Sequence, residues 1–190
     1  KGIPERLLAF EELLASGRAS ATNTVFVQAG SPSRESVEQY RALSIEIDEI
    51  VARVNATYPS GHNRGVIVYL RENLPREEML ALFVAADVMV VTSLADGMNL
   101  VAKEFVACRS DDSGVVILST DAGAAEQMTE ALLVDPRSQK QIVSAFETSL
   151  QMSPDEAATR MAALRRGVAT NDVASWAQAI IGGLEKARVS

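Results

Sequence analysis

Five short apolar runs, separated by segments with helical periodicity, constrain the fold of this chain most strongly. The runs lie at residues 24–29, 65–70, 88–92, 115–118 and 131–134. Helical patterns lie at 4–15, 35–58, 76–86, 139–150, 154–168 and 172–188, with one more ending near 108 and another after 123. Strands that alternate with helices predict βα units with right-handed crossovers. We therefore predict an α/β protein with a doubly wound parallel sheet.

Composition narrows the class of protein. The chain has 190 residues, of which 47% are hydrophobic and only 5% aromatic, and this favours one domain with a parallel sheet over a β-sandwich. A net charge of −7 without a localised basic patch argues against a nucleic-acid partner. No apolar run approaches the roughly 20 residues of a membrane span, and nothing at the start resembles a signal peptide. We expect a soluble, cytoplasmic domain.

The cysteine and histidine content gives little support for a metal site or a catalytic nucleophile. Cys108 is the only cysteine and His62 the only histidine. One cysteine excludes an internal disulfide and a cysteine metal cluster, and one histidine excludes a His-rich metal site and argues against a Ser-His-Asp triad. His62 is interpreted as a solvated loop residue. Asp111 and Asp112 are interpreted in the same way, because they precede a strand and so lie away from the edge where ligands bind.

Residues 95–104 join the third apolar run to a helix through a glycine turn. Their sequence is Ala-Asp-Gly-Met-Asn-Leu-Val-Ala-Lys-Glu. The free N–H groups of a first helical turn and the helix dipole both favour negative charge. Ligands of parallel α/β sheets bind beyond the carboxyl ends of the strands. The stretch therefore indicates an anion site, although such turns also occur as plain connections.

Three further loops are expected at the same edge of the sheet. Residues 30–34 supply a cation, residues 71–74 a slot of the size of a base, and residues 119–123 another glycine turn. Lys1 and Gly2 would join this edge if a strand preceded them. That requirement suggests that the chain is a fragment of a longer protein.

Several of these motifs resemble those of the trehalose-phosphate synthases. Residues 96–107 are similar to that family's longest motif, and the match extends to residues 1–4, 32–34, Tyr40, 122–125 and the pair Asp172 and Trp176. The resemblance implies a GT-B fold, in which two Rossmann-like halves face each other across a cleft. The whole chain, 1–190, would be the C-terminal, donor-binding half. The N-terminal half would be its partner and would supply the acceptor contacts.

The same resemblance implies roles for individual residues. Lys1 and Arg34 would bind the diphosphate of the donor, and Asp96 would hold hydroxyls of the transferred ring, so these three are the expected catalytic residues. The other expected donor contacts are Leu74 beside the base, Gly97, Met98, Asn99, Leu100 and Val101 through the backbone, and Glu104 at the ribose hydroxyls. The nucleotide-diphosphate donor is a substrate, and no metal or other cofactor would be required, since protein groups neutralise the leaving diphosphate.

Two departures from the family pattern fall at the predicted ligand edge. The family usually has Thr-Pro-Leu-Arg-Asp-Gly where residues 92–97 are Thr-Ser-Leu-Ala-Asp-Gly, and Glu-Phe-Ala-Gly where residues 120–123 are Thr-Asp-Ala-Gly. Ala95, Thr120 and Asp121 are therefore the expected specificity residues. The Thr-Asp-Ala-Gly form resembles the pseudo-glycosyltransferases of validamycin-type pathways. Neutral drift within an ordinary trehalose-phosphate synthase is the alternative explanation.

Three hypotheses for function follow. The leading one is a pseudo-glycosyltransferase that couples GDP-valienol to validamine 7-phosphate through a C–N bond with retained configuration, giving validoxylamine A 7'-phosphate and GDP. The alternative is a retaining glycosyltransferase that makes trehalose 6-phosphate from a nucleotide-glucose and glucose 6-phosphate. The third is a non-catalytic nucleotide-sugar-binding module. The sequence leaves open whether the donor carries GDP, UDP or ADP, and whether the enzyme is a homodimer.

Overall fold

The computed structural model describes residues 1–30, 38–61 and 64–189, which form a mixed α/β arrangement. The helices are α1 (Ile3–Ala15), α2 (Glu38–Thr57), α3 (Arg76–Ala85), α4 (Leu100–Cys108), α5 (Gln139–Gln151), α6 (Pro154–Thr170) and α7 (Val173–Val189). The strands are β1 (Phe26–Ala29), β2 (Ile67–Leu70), β3 (Val88–Val91), β4 (Val115–Ser119) and β5 (Leu132–Val134). Among these described residues, no helix has the length and apolarity needed to cross a membrane.

All five strands are parallel to their neighbours, as predicted. Strand β1 pairs with β2, and β4 pairs with both β3 and β5. The strands form two hydrogen-bonded groups, β1-β2 and β3-β4-β5, rather than one continuous ladder. Apolar patterning defines where strands lie, but which strands pair depends on long-range packing, so this grouping was not contained in the sequence pattern.

Helices cover both faces of the strands. Alternate residues of β4 point to opposite sides and pack into two different cores. Ile117 belongs to a core formed with α1, α2 and α5, whereas Val116 and Leu118 belong to a second core formed with α3, α4 and α6. Every residue of β4 is buried. A strand buried on both faces is typical of a parallel sheet between two helical layers, and it provides a rigid base for the loops that follow it.

Aromatic packing fixes the first core. The rings of Phe10 and Phe26 lie 5.3 Å apart between centroids, and Phe146 lies 6.2 Å from each of them. These three residues come from α1, β1 and α5. Aromatic pairs at such distances contribute roughly 0.5–1.5 kcal/mol beyond the burial of their area. The contact therefore holds α1, and with it the first residues of the chain, against the strands.

The predicted helix after Gly123 is wrong in length. The chain forms a single 3₁₀ turn, Gly123–Glu126, and enters β5 at Leu132, so there is no room for an α-helix. Two predicted helix starts are confirmed. The Ser153 hydroxyl accepts a hydrogen bond from Glu156 N at 3.2 Å, and the Asp172 carboxylate accepts one from Ser175 N at 2.8 Å.

Candidate active site

The carboxyl ends of β3 and β4 carry two loops that are bonded to each other through their backbones. Asp96 N donates to Asp121 O at 3.1 Å, Gly123 N donates to Asp96 O at 2.9 Å, and Ala124 N donates to Met98 O at 2.8 Å. Beneath them, the buried Ser119 hydroxyl donates to Ser93 O at 2.7 Å. The two loops thus form one continuous surface at the edge where the sequence predicts a ligand.

The Asp96 carboxylate lies at the centre of this surface. It accepts hydrogen bonds from Lys1 Nζ at 2.6 Å, Asn99 Nδ2 at 3.1 Å, Met98 N at 3.4 Å and Ser93 Oγ at 3.5 Å. Burial by itself would raise the pKa of Asp96, but the hydrogen bonds from Lys1, Asn99 and Met98 outweigh it and lower the pKa. Asp96 is therefore a fixed, ionised hydrogen-bond acceptor at neutral pH.

Lys1 reaches Asp96 because Gly2 adopts a conformation that other residues avoid. Gly2 has a φ of 63°, and its carbonyl accepts a hydrogen bond from the Thr92 hydroxyl at 2.6 Å. A Cβ atom at this position would lie 1.8 Å from the Thr92 carbonyl oxygen. Only glycine allows the start of the chain to approach the end of β3 so closely. The Lys1 side chain remains 66% exposed and can reach a ligand.

Helix α4 begins directly beside Asp96. Asn99 is its N-cap, with a φ of 73°, and the Asn99 side chain accepts from Ala102 N at 3.1 Å. Leu100 and Val101 follow with 63% and 46% exposure, so the first turn faces solvent. The N–H groups of a first turn have no partner within the helix. This helix end meets the physical requirements of an anion site.

The structure places the remaining described residues of the predicted site on the turn before α4, on α4 itself, on the loop between β2 and α3, and after β4. Ala95, Gly97 and Glu104 are exposed on the turn and on α4, and Leu74 lies half-buried between β2 and α3. The Thr120 hydroxyl donates to Val134 O at 3.3 Å, so it faces β5. Arg34 falls outside the described residues.

Arg137 also belongs to this edge and was missed at the sequence level. Its guanidinium donates to the Asp121 carboxylate and, at 3.1 Å, to Leu94 O. Arg137 lies in the loop between β5 and α5. Because the carboxyl ends of parallel strands share one edge, its position after the fifth apolar run was the available signal.

The acidic pair Asp111 and Asp112, which has the composition of a metal-binding motif, lies away from this edge and is bound by other side chains. Asp111 accepts from Ser113 Oγ at 2.6 Å, and Asp112 pairs with Arg165 at 2.9 Å. Within the described ranges, no group of three or more His, Cys, Asp or Glu residues is placed to hold a metal ion. His62 lies outside these ranges.

The parallel α/β architecture, with a carboxylate, a lysine and a helix start at the carboxyl edge, is that of a Rossmann-like domain with a candidate anion site. The family model described as Glycosyltransferase family 20 matches residues 1–186. The chain belongs to that family, and its fold is the C-terminal part of a GT-B fold.

Known relatives agree with the assignment. The trehalose-6-phosphate synthase of Mycobacterium avium (strain 104) is 48% identical over 185 residues, which are 97% of this chain and 37% of that protein. The chain thus spans little more than a third of the relative it matches. The predicted resemblance to trehalose-phosphate synthases is confirmed.

Solved structures of trehalose-phosphate synthases also match this chain. A UDP-forming α,α-trehalose-phosphate synthase from Burkholderia xenovorans, in complex with glucose-6-phosphate, matches with a TM-score of 0.91 and 32% identity over 97% of this chain and 41% of that one. A structure described as trehalose-6-phosphate from E. coli bound with UDP-2-fluoro glucose matches with a TM-score of 0.90 and 34% identity, over the same shares. These relatives favour the alternative hypothesis over the leading one.

Proposed function

We propose that the chain is the donor-binding half of a retaining glycosyltransferase that makes trehalose 6-phosphate from a nucleotide-glucose and glucose 6-phosphate. The observation that carries this proposal is the arrangement of Asp96, Lys1 and the start of α4 at one edge, in a chain of glycosyltransferase family 20. The relatives named as trehalose-6-phosphate synthases support the same activity. The acceptor would be held by the N-terminal half of the enzyme.

Lys1 and Asp96 would divide the work between the two ends of the donor. Lys1 has three N–H donors, and its bond to Asp96 leaves two of them for the oxygens of the leaving diphosphate. Lys1, Asn99 and Ser93 all donate to Oδ2 of Asp96, whereas Oδ1 accepts only from Met98 N at 3.4 Å, so Oδ1 can also accept a hydrogen bond from a hydroxyl of the transferred glucose. Its lowered pKa keeps it ionised, so these bonds are charge-assisted.

The cations should contribute more than the helix dipole to binding the diphosphate. Hydrogen bonds to charged groups are worth about 1.5–3 kcal/mol each, whereas a helix terminus contributes about 0.3–1 kcal/mol at an exposed site. Lys1 and the predicted second cation, Arg34, are therefore the main groups for charge, and the first turn of α4 provides orientation. Glu104, exposed on α4, is proposed to accept from the ribose hydroxyls.

Retention of configuration requires no side-chain nucleophile in this scheme. Asp96 already receives hydrogen bonds from four donors, which suits a binding group better than an attacking one. The acceptor hydroxyl would attack the anomeric carbon on the face from which the diphosphate departs. The carbon–oxygen bond to the phosphate breaks, a new glycosidic bond forms, and the acceptor's proton passes to the departing phosphate.

A second candidate is the pseudo-glycosyltransferase that joins GDP-valienol to validamine 7-phosphate. The observation that favours it is the chemistry of the rim, where Ala95 is exposed and Asp121 is paired with Arg137. Trehalose-phosphate synthases usually have an arginine and a phenylalanine at positions 95 and 121. An edge altered in this way could accept a donor other than glucose.

Incubation of the full-length enzyme with each donor and acceptor pair separates the candidates. UDP-glucose and GDP-glucose are offered with glucose 6-phosphate, GDP-valienol is offered with validamine 7-phosphate, and products are identified by mass spectrometry. A disaccharide phosphate is the expected product. Formation of only the C–N-linked product would reject the first proposal in favour of the second. Binding of nucleotide without any product would indicate the non-catalytic module.

A further inference from the structure

We propose that Arg137 is a positioning residue of the active site, which holds the turn that carries Asp96 from the loop between β5 and α5. The inference rests on the proposed transferase function for its kinetic consequences. Its structural basis is the set of contacts that one guanidinium makes with two neighbouring loops. Arg137 is not among the specificity residues expected from the sequence.

The guanidinium joins three loops that each follow a different strand. Arg137 itself comes after β5 and is anchored by its own N–H, which donates to the Asp135 carboxylate at 2.9 Å. Its Nη1 donates to the Asp121 carboxylate, after β4, and its Nη2 donates to Leu94 O at 3.1 Å, after β3. A planar guanidinium can make two such bonds at a fixed angle, which a lysine ammonium cannot reproduce.

Asp96 is close to both ends of this connection. Leu94 lies two positions before it in the chain. Asp121, the other partner, accepts the Asp96 N–H through its carbonyl at 3.1 Å. Moving either loop would therefore move the Asp96 backbone and change the placement of its carboxylate against Lys1, now 2.6 Å away.

The exposure of the pair argues for a role in placement rather than in stability. The Arg137 side chain is 62% exposed and that of Asp121 is 32% exposed. Ion pairs exposed to this extent contribute little to stability. Catalysis is far more sensitive to position, because a displacement of about 1 Å in a reacting group can lower the rate by about 100-fold. Loss of Arg137 should therefore affect turnover much more than folding.

The variant Arg137→Met in the full-length enzyme tests this role. We expect kcat to fall about 10- to 100-fold, while the Kd of the nucleoside diphosphate, measured by calorimetry with UDP and GDP, changes by less than about twofold. This split is expected because Asp96 would contact the transferred group, whereas the diphosphate is held by other residues. Arg137→Lys, which keeps the charge but loses the fork, should recover part of the turnover.

Arg160→Met is the matched control. Arg160 also joins one carboxylate, that of Glu156, to one carbonyl, Glu130 O at 3.1 Å, but it does so on α6, away from the site. The two methionine variants should have similar melting temperatures, and only Arg137→Met should lose turnover. Equal losses in kcat, nucleotide affinity and melting temperature would overturn the proposal and make Arg137 an ordinary structural residue.

The double variant Arg137→Met/Asp121→Asn separates placement from charge. If Arg137 acts only by neutralising Asp121, removing that carboxylate restores kcat, and the positioning role is rejected. If it acts by holding the loops, kcat stays low, because the bond to Leu94 O is still missing.

A crystal structure of Arg137→Met tests the positioning role without any measurement of activity. Displacement of the Asp96 carboxylate from Lys1 supports the proposal, and an unmoved turn overturns it. Failure of the wild-type enzyme to turn over any of the three donor and acceptor pairs would reject the proposed function alone.

Discussion

Lys1 Nζ lies 2.6 Å from the Asp96 carboxylate, although 95 positions separate the two residues in the chain. The contact joins the segment that precedes α1 to the turn before α4 and places a cation and an anion at the same edge of the sheet. Because Lys1 is 66% exposed and the Asp96 side chain only 13%, the lysine is free to share its protons with a ligand while the carboxylate stays fixed.

Lys1→Met in the full-length enzyme should weaken binding of the nucleoside diphosphate. The lost charge-assisted bond is worth about 1.5–3 kcal/mol, which corresponds to a Kd roughly 10- to 100-fold higher by calorimetry. Arg18→Met is the control, because Arg18 also forms an ion pair, with Glu147 at 3.0 Å, but follows the carboxyl end of α1. Similar affinities for the two variants would remove Lys1 from the diphosphate site.

Gly2→Ala should destabilise the protein more than Gly17→Ala does. Both glycines have positive φ angles, 63° and 70°, so alanine costs about 1–2 kcal/mol at each. At Gly2 the added Cβ would also meet the Thr92 carbonyl oxygen at 1.8 Å, whereas at Gly17 nothing lies within 4 Å. Chemical denaturation gives the two losses, and equal values would show that the close approach at Gly2 relaxes at no cost.

The same pair of variants has a functional consequence. Gly2→Ala should displace Lys1 and raise the Kd of the nucleoside diphosphate, whereas Gly17→Ala should leave that Kd unchanged. Calorimetry on the folded fraction of each variant separates this effect from the loss of stability.

Much of the fold could be predicted from the sequence, because helices and strands have distinct apolar periods. Strands were located to within a few residues, and the end of α1 at Ala15 was predicted correctly. The separation of β1-β2 from β3-β4-β5 could not be predicted, since pairing depends on contacts far apart in sequence. Likewise, the gathering of Lys1 and Asp96 at one edge followed from the rule for strand ends, but their direct contact did not.

Side-chain contacts account for what the sequence left out of the site. Arg137 lies 16 positions from Asp121, and although its place after the fifth apolar run indicates the same edge, nothing in the sequence indicates that the two side chains pair. The turn of Thr120 toward Val134 O is equally invisible in the sequence, since a hydroxyl can rotate to any nearby acceptor. Resemblance to a family identifies which positions matter, but only packing determines where each side chain points.

Asn99→Gly and Asn99→Ala should differ in stability although both remove the same side-chain bonds. Asn99 caps Ala102 N and donates to Asp96 at 3.1 Å, and both variants lose these bonds. Replacing an N-cap residue by alanine costs about 0.5–2 kcal/mol, but replacing it by glycine costs only about a few tenths. Alanine is further strained at a φ of 73°, whereas glycine is not, so Asn99→Ala should be the less stable by roughly 1 kcal/mol. Thermal and chemical denaturation measure the order, and a more stable alanine variant would contradict it.

The ionisation of Asp96 should make stability depend on pH in the acid range. Burial disfavours the charged carboxylate, but hydrogen bonds from Lys1, Asn99 and Met98 more than compensate, and the pKa in the folded state lies below the ordinary value of 3.8. A lowered folded pKa means that the unfolded chain binds protons first as the pH falls. The stabilisation from Asp96 is therefore fully present above pH 3.8 and disappears as the pH drops through the folded value.

Denaturation of wild type and Asp96→Asn between pH 7 and about pH 2.5 measures this, because the amide cannot ionise. The gap between their unfolding free energies should narrow only in the acid range, and a gap that is constant with pH would show that the carboxylate gains nothing from its partners.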